Sequence, residues 1–420
     1  MFEPFGLFLL LFAIGILASL WINDAIYRWS YYSPAISSWQ KRTGELGKLH
    51  WAERIPVVGW YLRSKRAEDI QQFGRWFWVR PALIELFFPW VLVGIFSWLR
   101  QGNGVPDGVS VEVGGQATAL LWAQYNSLVI LLFLLTIATF IDFDERMIPD
   151  VVTVPGTLIG LFGSTFFTGW NFLEQVQLTE PPFSQVVRSL HANSPEGIPV
   201  AWRQGQFFSL LLVIFCWSIG CLSLVDFPWI TRRGWKKAFV YAWVRFWQAG
   251  NLRTAGMMLL AGWILLPLGY FLLTADSWDR LVSSMVGMCL GGFLVWAFRM
   301  VATEVLGMEA LGFGDVMLMG MVGAFLGWQL VWLAFFLAPL FGIVIVLLRL
   351  LLTGDNRTPF GPYLSAASVY LMLDWKRVWG MAREWMFPAT IAPWVLIVLL
   401  FLLGVLLWII HRIERLFGWR

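Results

Sequence analysis

Long runs of hydrophobic residues, separated by short polar segments, recur from one end of the chain to the other. Most runs hold about 20 residues, the length that an α-helix needs to cross about 30 Å of hydrocarbon. This pattern predicts membrane-spanning helices. The predicted spans are 5–22, 82–99, 119–141, 152–170, 207–225, 257–274, 283–302, 316–327, 329–352 and 390–410.

The composition agrees with this pattern. The 420 residues are 59% hydrophobic and 13% charged, whereas a soluble domain carries about 25% charged residues. The 28 Trp residues suit the headgroup level of a bilayer, where Trp and Tyr concentrate. We therefore predict an all-α, polytopic helical membrane protein with about nine or ten transmembrane helices.

A further segment, 363–374, is predicted to be a partial or re-entrant helix. The first span follows Glu3 and not a basic region, so it is predicted to be retained and not removed as a signal peptide.

The loop charges predict the orientation. Residues 23–80 hold ten Lys and Arg residues and residues 101–118 hold none, which places the first loop in the cytoplasm and the second outside. Residues 142–150 and 226–256 then fall inside, and the loop 171–206, to which no function is assigned, falls outside. Because the basic residues lie in loops, the net charge of +4 reflects membrane topology and not nucleic-acid binding.

The end of the chain is less regular. A basic tail at 411–420 favours a cytoplasmic C-terminus, which leaves the basic loop 375–389 outside.

Two short acidic motifs lie where a hydrophobic run meets a loop. One is residues 142–150 and the other is residues 312–315. Charged groups at membrane depth cost at least ~2.5–3.5 kcal/mol, so they are candidates for function. Four predicted spans separate Asp142 from Asp315, and an even number returns the chain to the same membrane face. The pattern predicts an aspartate pair at the cytoplasmic edge.

Such a pair can hydrolyse a peptide bond. One carboxylate activates a water molecule, while the other, protonated, polarises the carbonyl, and two close carboxylates naturally share one proton. Gly312 and Gly314 have no Cβ, so the backbone around Asp315 can approach another element or a substrate closely.

The motifs resemble those of the bacterial type IV prepilin peptidases. Residues 142–155 resemble the first active-site motif of that family, and residues 309–316 with 323–328 resemble the second. Further similarities, in family order, are Asn23 with Arg28, residues 55–60, Arg80–Pro81 with Glu85, and residues 359–362. The resemblance covers roughly 1–165 and 285–373.

The resemblance implies a multi-pass protease of the cytoplasmic (inner) membrane that serves type IV pilus assembly or protein secretion. Its partners would be prepilin or pseudopilin precursors and the lipid bilayer, with no nucleic acid, and it would cut their short basic leaders at the cytoplasmic face. Asp142 and Asp315 would be catalytic, and no cofactor is needed for proteolysis. The residues expected to support catalysis or bind the leader are Asp144, Glu145, Asp150, Glu309, Gly312 and Gly314.

Departures from the family limit this inference. The bifunctional members carry four zinc-binding cysteines in the first cytoplasmic loop, but here the only cysteines are Cys216, Cys221 and Cys289, in hydrophobic runs. With three scattered histidines, no metal site is predicted. S-adenosylmethionine is a cofactor only if the N-methyltransferase activity is retained. Met317 stands where the family commonly has Lys.

Simpler interpretations stand beside these. Asp150 is predicted to be a helix N-cap more than a catalyst, and Asp144 and Glu145 could form a solvated turn. A salt bridge to Arg80 or to another loop cation is the expected role of Glu85. The alternatives for function are a protease for other membrane substrates, a non-catalytic pilin-binding paralogue, and a carboxylate-lined transporter.

The domain prediction follows from the motifs. Residues 1–100 form an N-terminal unit of two spans and a basic loop. Residues 101–375 form the peptidase core, with an inserted region at about 171–280 that lengthens the separation of the two aspartates. Residues 376–420 add a final span and the basic tail.

Overall fold

The computed structural model describes residues 4–32, 36–40, 47, 49–104, 115–170, 174–180, 183–191, 199–224, 250–306, 311–353 and 359–383. Within this part of the chain, six helices are long and apolar enough to cross a membrane, and two shorter apolar helices accompany them. The predicted polytopic helical class is confirmed. The predicted span 390–410 and the tail 411–420 lie outside the described residues.

The helices follow the hydrophobic runs, usually with a few residues added at each end. They are α1 (Pro4–Trp29), α2 (Val58–Arg63), α3 (Ala67–Phe73), α4 (Val79–Arg100), α5 (Gly115–Glu145), α6 (Asp150–Phe166), α7 (Phe207–Ser223), α8 (Gly250–Leu272), α9 (Ala275–Leu306), α10 (Phe313–Thr353) and α11 (Gly361–Arg383). Single 3₁₀ turns occupy Trp51–Arg54 and Val200–Trp202.

Contacts between helix ends define two ends of the bundle. At the end that carries the acidic motifs, Arg80 of α4 pairs with Asp144 of α5. At the opposite end, Arg280 of α9 donates to the carbonyl oxygens of Ser164 and Thr165, which close the last turn of α6. We call the first the aspartate end. Among the described residues, four helices, α6 to α9, lie between the two motifs, and Asp142 and Asp315 lie at the same end.

Glycines let α10 pass closely between α6 and α9. Gly323 lies directly against the backbone of Gly287 on α9, and Gly160 of α6 packs under the Phe325 ring. Residues without Cβ allow helix axes to approach more closely than larger residues do. These contacts fix the first half of α10, and with it the position of Asp315.

The predicted spans 316–327 and 329–352 form one element, α10, with a sharp bend. Gly327 has φ 80° and ψ 174°, a conformation that glycine adopts without a steric penalty. The bend returns the second half of α10 to the aspartate end, where the Arg349 guanidinium carbon lies 5.9 Å from the centroid of the Phe143 ring.

The helices inserted between the two motifs pack on each other and on α9. The Trp217 indole of α7 donates to the carbonyl oxygen of Met258 on α8 at 3.0 Å, and Gly262 of α8 lies against the same indole. The Cys289 thiol of α9 donates to the Cys216 carbonyl oxygen of α7 at 3.3 Å. In the inserted pair, α7 therefore packs on α9, and α8 packs on α7.

Two local predictions are wrong. The segment 363–374 is part of a longer helix, α11, which starts beside Asp142 and reaches the opposite end, where the Lys376 ammonium donates to the Gly102 carbonyl oxygen at 3.2 Å. The predicted loop 375–389 is accordingly helical as far as Arg383. The loop 171–206 also contains structure, an antiparallel hairpin of β1 (Glu174–Glu180) and β2 (Phe183–His191).

Candidate active site

The two motif aspartates lie at helix ends and are brought together. Asp142 is in the last turn of α5 and Asp315 is in the first turn of α10. Their side chains are buried, at 4% and 6% exposure, and lie close enough for their charges to repel each other. Two carboxylates from distant parts of the chain thus form one buried pair.

Backbone amides face both carboxylates. The Gly312 N–H donates to the Asp315 carboxylate. The Gly361 N–H, at the start of α11, approaches the Asp142 carboxylate. Oδ2 of Asp142 is buried and makes no hydrogen bond of standard geometry to the described residues. A buried carboxylate oxygen with spare accepting capacity is suited to bind a water molecule or a substrate group.

Ile148, a residue of the first motif, packs against two glycines. A Cβ at Gly314 would lie 3.0 Å from both the Cβ and the backbone nitrogen of Ile148, and one at Gly361 would lie 2.5 Å from Asp142 Oδ2 and 3.0 Å from Ile148 Cδ1. The link between α5 and α6 is therefore packed directly on the backbone beside Asp315. Gly312 differs, because a Cβ there would meet nothing closer than Asp315 Oδ2 at 3.8 Å. Gly312 therefore contributes to the site through its backbone N–H, and not because a side chain would fail to fit there.

Arg299 of α9 is a site residue that the sequence analysis missed. Its Nε donates to the Leu311 carbonyl oxygen at 2.9 Å, and its guanidinium carbon lies 5.8 Å from the centroid of the Phe313 ring. It also interacts electrostatically with Asp315. The Arg299 side chain therefore contacts Leu311 and Phe313, the two sequence neighbours of Gly312. The signal in the sequence was a lone arginine near the end of a predicted span.

Asp144 and Glu145 bind groups of the chain itself. Both oxygens of Asp144 accept from Arg80 Nη1, at 2.7 and 2.8 Å, and the Arg80 guanidinium also lies over the Tyr27 and Phe140 rings. Glu145 accepts from the backbone N–H groups of the two residues Tyr31 and Tyr32, at 2.7 and 2.9 Å. The prediction of a freely solvated turn is wrong, because these two carboxylates fasten α4 and the end of α1 to α5.

The remaining supporting residues have different placements. Asp150 is the first residue of α6 and Pro149 is its N-cap, so the prediction of Asp150 as N-cap is wrong by one position. An acidic residue in the first turn still complements the helix dipole. Glu309 lies outside the described residues. Met317 points away from the aspartates, with its sulfur 3.5 Å from the Ser223 hydroxyl of α7.

Glu85 does not pair with Arg80, contrary to the prediction. Its carboxylate is buried and accepts three hydrogen bonds, from Asn23 Nδ2 at 2.9 Å, Trp60 Nε1 at 2.8 Å and the Val57 N–H at 2.7 Å. Burial of a carboxylate is tolerated where several donors satisfy it. Glu85 therefore joins α1, α2 and α4 near the aspartate end.

Comparison with known proteins identifies the class. Residues 254–347 match the family described as the type IV leader peptidase family. This stretch contains Asp315 and not Asp142, and it begins inside the region predicted to be inserted. The chain is also 28% identical over 185 residues to a prepilin leader peptidase/N-methyltransferase of Pseudomonas putida, which covers 43% of this chain and 54% of that protein. No solved structure matches the chain.

Other relatives agree. A prepilin leader peptidase/N-methyltransferase of Stutzerimonas stutzeri is 34% identical over 185 residues, covering 43% of this chain and 54% of that protein. The leader peptidase HopD of Escherichia coli is 32% identical over 100 residues, covering 23% of this chain and 62% of that protein. The chain thus spans about half the length of the curated relatives it matches. The chain is therefore similar to members of the type IV leader peptidase family, whose model it matches over residues 254–347.

Proposed function

We propose that the chain is an intramembrane aspartic endopeptidase that cleaves the basic leader of prepilin-like or pseudopilin-like precursors at the cytoplasmic face. The observation that carries this proposal is the burial of Asp142 and Asp315 side by side at one end of the bundle. The match to the type IV leader peptidase family and the similarity to prepilin leader peptidases support the same chemistry and suggest the class of substrate.

Hydrolysis by this pair needs one proton shared between two carboxylates. The ionised aspartate takes a proton from a water molecule as its oxygen attacks the scissile carbonyl carbon, and the protonated aspartate gives its proton to the carbonyl oxygen. The resulting diol collapses when the C–N bond breaks: the leaving amine takes the proton of the protonated aspartate, and one diol hydroxyl gives its proton to the other aspartate, so the pair again holds one proton. Either aspartate can start as the acid.

The glycine amides have a role in this scheme. The N–H groups of Gly312 and Gly361 hold the carboxylates in place without bringing a side chain into the space that an extended peptide would occupy. The scheme requires no cofactor. S-adenosylmethionine would be required only if the chain also methylated the new N-terminus, which is the second activity in the names of its relatives.

Cleavage of a model prepilin by the full chain in membranes tests the proposal. Asp142→Asn and Asp315→Asn keep the side-chain shape and remove the titrating group, so each is expected to abolish cleavage. Asp374→Asn is the matched control, because Asp374 accepts a hydrogen bond from Tyr370 within α11 and lies far along that helix from Gly361. Loss in both site variants with retention in the control supports the pair.

Other outcomes would point to the alternatives. A folded wild-type chain that leaves prepilins intact but cuts another membrane peptide through the same aspartates would indicate a protease of different specificity. Binding of prepilin without cleavage would indicate a non-catalytic paralogue. The transporter alternative expects carboxylates near mid-membrane, whereas both aspartates lie within one turn of a helix end.

A further inference from the structure

The segment between α1 and α4 lies beside the ends of these helices. We name residues 36–40 and 49–78 the interfacial segment. Val57 and Trp60 donate to Glu85, which lies six residues inside α4 from its start at Val79. At 1.5 Å per residue this places α2 about 9 Å along α4, and not beyond its end.

A second attachment holds the segment at a similar level of α1. The Ser37 hydroxyl donates to Asp24 Oδ1 at 2.7 Å, and Trp39 lines a small cavity with Leu20 and Asn23. Leu20 to Asp24 precede the end of α1 at Trp29 by five to nine residues, or about 8–14 Å. Both attachments place the interfacial segment at the depth where membrane helices cross the headgroup region.

The three acidic side chains of this segment pair with two of its five cations. Asp69 pairs with Arg63 at 2.9 Å, with both side chains fully buried, and Glu53 and Glu68 pair with Arg66 at 2.7 and 3.2 Å. Three cations remain: Arg54, Lys65 and Arg75. Among the described residues, no carboxylate lies within ion-pair distance of these three.

Each of the three cations lies over an exposed aromatic ring. The distances from the cationic group to the ring centroid are 5.8 Å for Arg54 over Trp39, 4.5 Å for Lys65 over Tyr61 and 5.5 Å for Arg75 over Trp76. The three aromatic residues are 53%, 52% and 69% exposed. The Tyr61 ring also contacts Trp78, which immediately precedes α4.

We propose that the interfacial segment binds the headgroups of anionic phospholipids. An exposed aromatic ring with a cation above it suits the membrane boundary, because the ring prefers the headgroup level and the cation meets the lipid phosphate. The unneutralised positive charge complements an anionic leaflet. Arg54, Lys65 and Arg75 contact the phosphates, and Trp39, Tyr61 and Trp76 lie at the boundary of the acyl chains. This inference does not depend on whether the chain cleaves prepilins.

Native mass spectrometry of the full chain, released from nanodiscs with equal phosphatidylglycerol and phosphatidylcholine, tests the proposal. The wild type is expected to retain phosphatidylglycerol preferentially. Lys65→Gln/Arg75→Gln keeps both rings and removes two cations, and each cation is expected to account for about fivefold in relative affinity. The preference should therefore fall by about 25-fold, and it should weaken in high salt for the wild type.

The matched control is Arg100→Gln/Arg203→Gln, which removes two exposed cations at the opposite end of the bundle. Thermal unfolding of both double variants verifies that they are folded. A loss of preference confined to Lys65→Gln/Arg75→Gln supports the proposal. An unchanged preference in that variant, or an equal loss in the control, would overturn it.

Discussion

Arg299 holds Leu311, the residue that begins the loop before Asp315, through a hydrogen bond of 2.9 Å from Nε to the carbonyl oxygen. The two residues are 12 positions apart, and the hydrophobic pattern gives no sign of this contact. Because Gly312 is the next residue and its amide donates to Asp315, the position of the Asp315 carboxylate depends on an arginine of α9.

Arg299→Gln is expected to slow cleavage by about 10- to 100-fold, the range that corresponds to a lost hydrogen bond from a charged donor. The loss should appear in kcat more than in KM, since Arg299 acts through the loop and not on the substrate. Arg299→Lys keeps the charge but not the planar donor, so it should recover part of the rate. Steady-state cleavage with a peptide substrate measures both, and a wild-type rate for Arg299→Gln would show that the loop is held without it.

Substitution of the two glycines of the second motif by alanine is expected to have different effects on stability. Gly314→Ala places a Cβ 3.0 Å from the Ile148 backbone, so the link between α5 and α6 must move, at a cost of about 1–3 kcal/mol. Gly312→Ala meets only atoms at 3.8 Å or beyond and should fold like the wild type. Thermal unfolding and cleavage of the two variants check this contrast. Equal behaviour would mean that packing on Ile148 does not position Asp315.

The sequence predicted the helices well because a membrane requires long hydrophobic runs. The hydrophobic runs also predicted an even number of spans between Asp142 and Asp315. From that number we predicted that the two motifs lie at the same end of the bundle. The extent of α11 could not be predicted in the same way. Its polar residues, such as Lys376 at the opposite end, interrupt the hydrophobic pattern although the helix continues.

The partners of buried polar groups could not be predicted either. Arg80 lies near Glu85 in the sequence, but Glu85 is enclosed by donors from two other segments, Asn23 and Trp60. Arg80 instead reaches Asp144 on α5. Which carboxylate a cation binds depends on how the helices cross, and a single sequence contains no measure of that.

Asp144 is expected to stabilise the fold and not to bind the leader of the substrate. Asp144→Asn removes the partner of Arg80, and since Asp144 is 43% exposed the cost should be about 1 kcal/mol in the free energy of unfolding. Arg80→Gln and the double variant complete a cycle that measures the coupling. Thermal or denaturant unfolding in a fixed detergent gives the values.

A pair of substrates separates the two roles of Asp144. If Asp144 only fastens α4 to α5, Asp144→Asn should change cleavage of a basic leader and of a leader with neutral residues by the same factor. The sequence-based hypothesis that Asp144, with Glu145, Asp150 and Glu309, holds the basic leader expects a higher KM for the basic leader alone. Kinetics with both substrates would decide between these expectations.

The inserted helices α7 and α8 are expected to stabilise the bundle without taking part in the chemistry. Gly262→Val drives a side chain into the Trp217 indole and should cost about 1–3 kcal/mol in the free energy of unfolding. Gly269→Val is the matched control on the same helix, because a Cβ there meets only the Leu273 side chain, at 3.4 Å or more. Since α8 packs on α7, which in turn packs on α9, the cleavage rate per folded molecule should be unchanged in both variants. A Gly262→Val chain as stable as the control but unable to cleave would instead connect the inserted pair to substrate binding or to the aspartates.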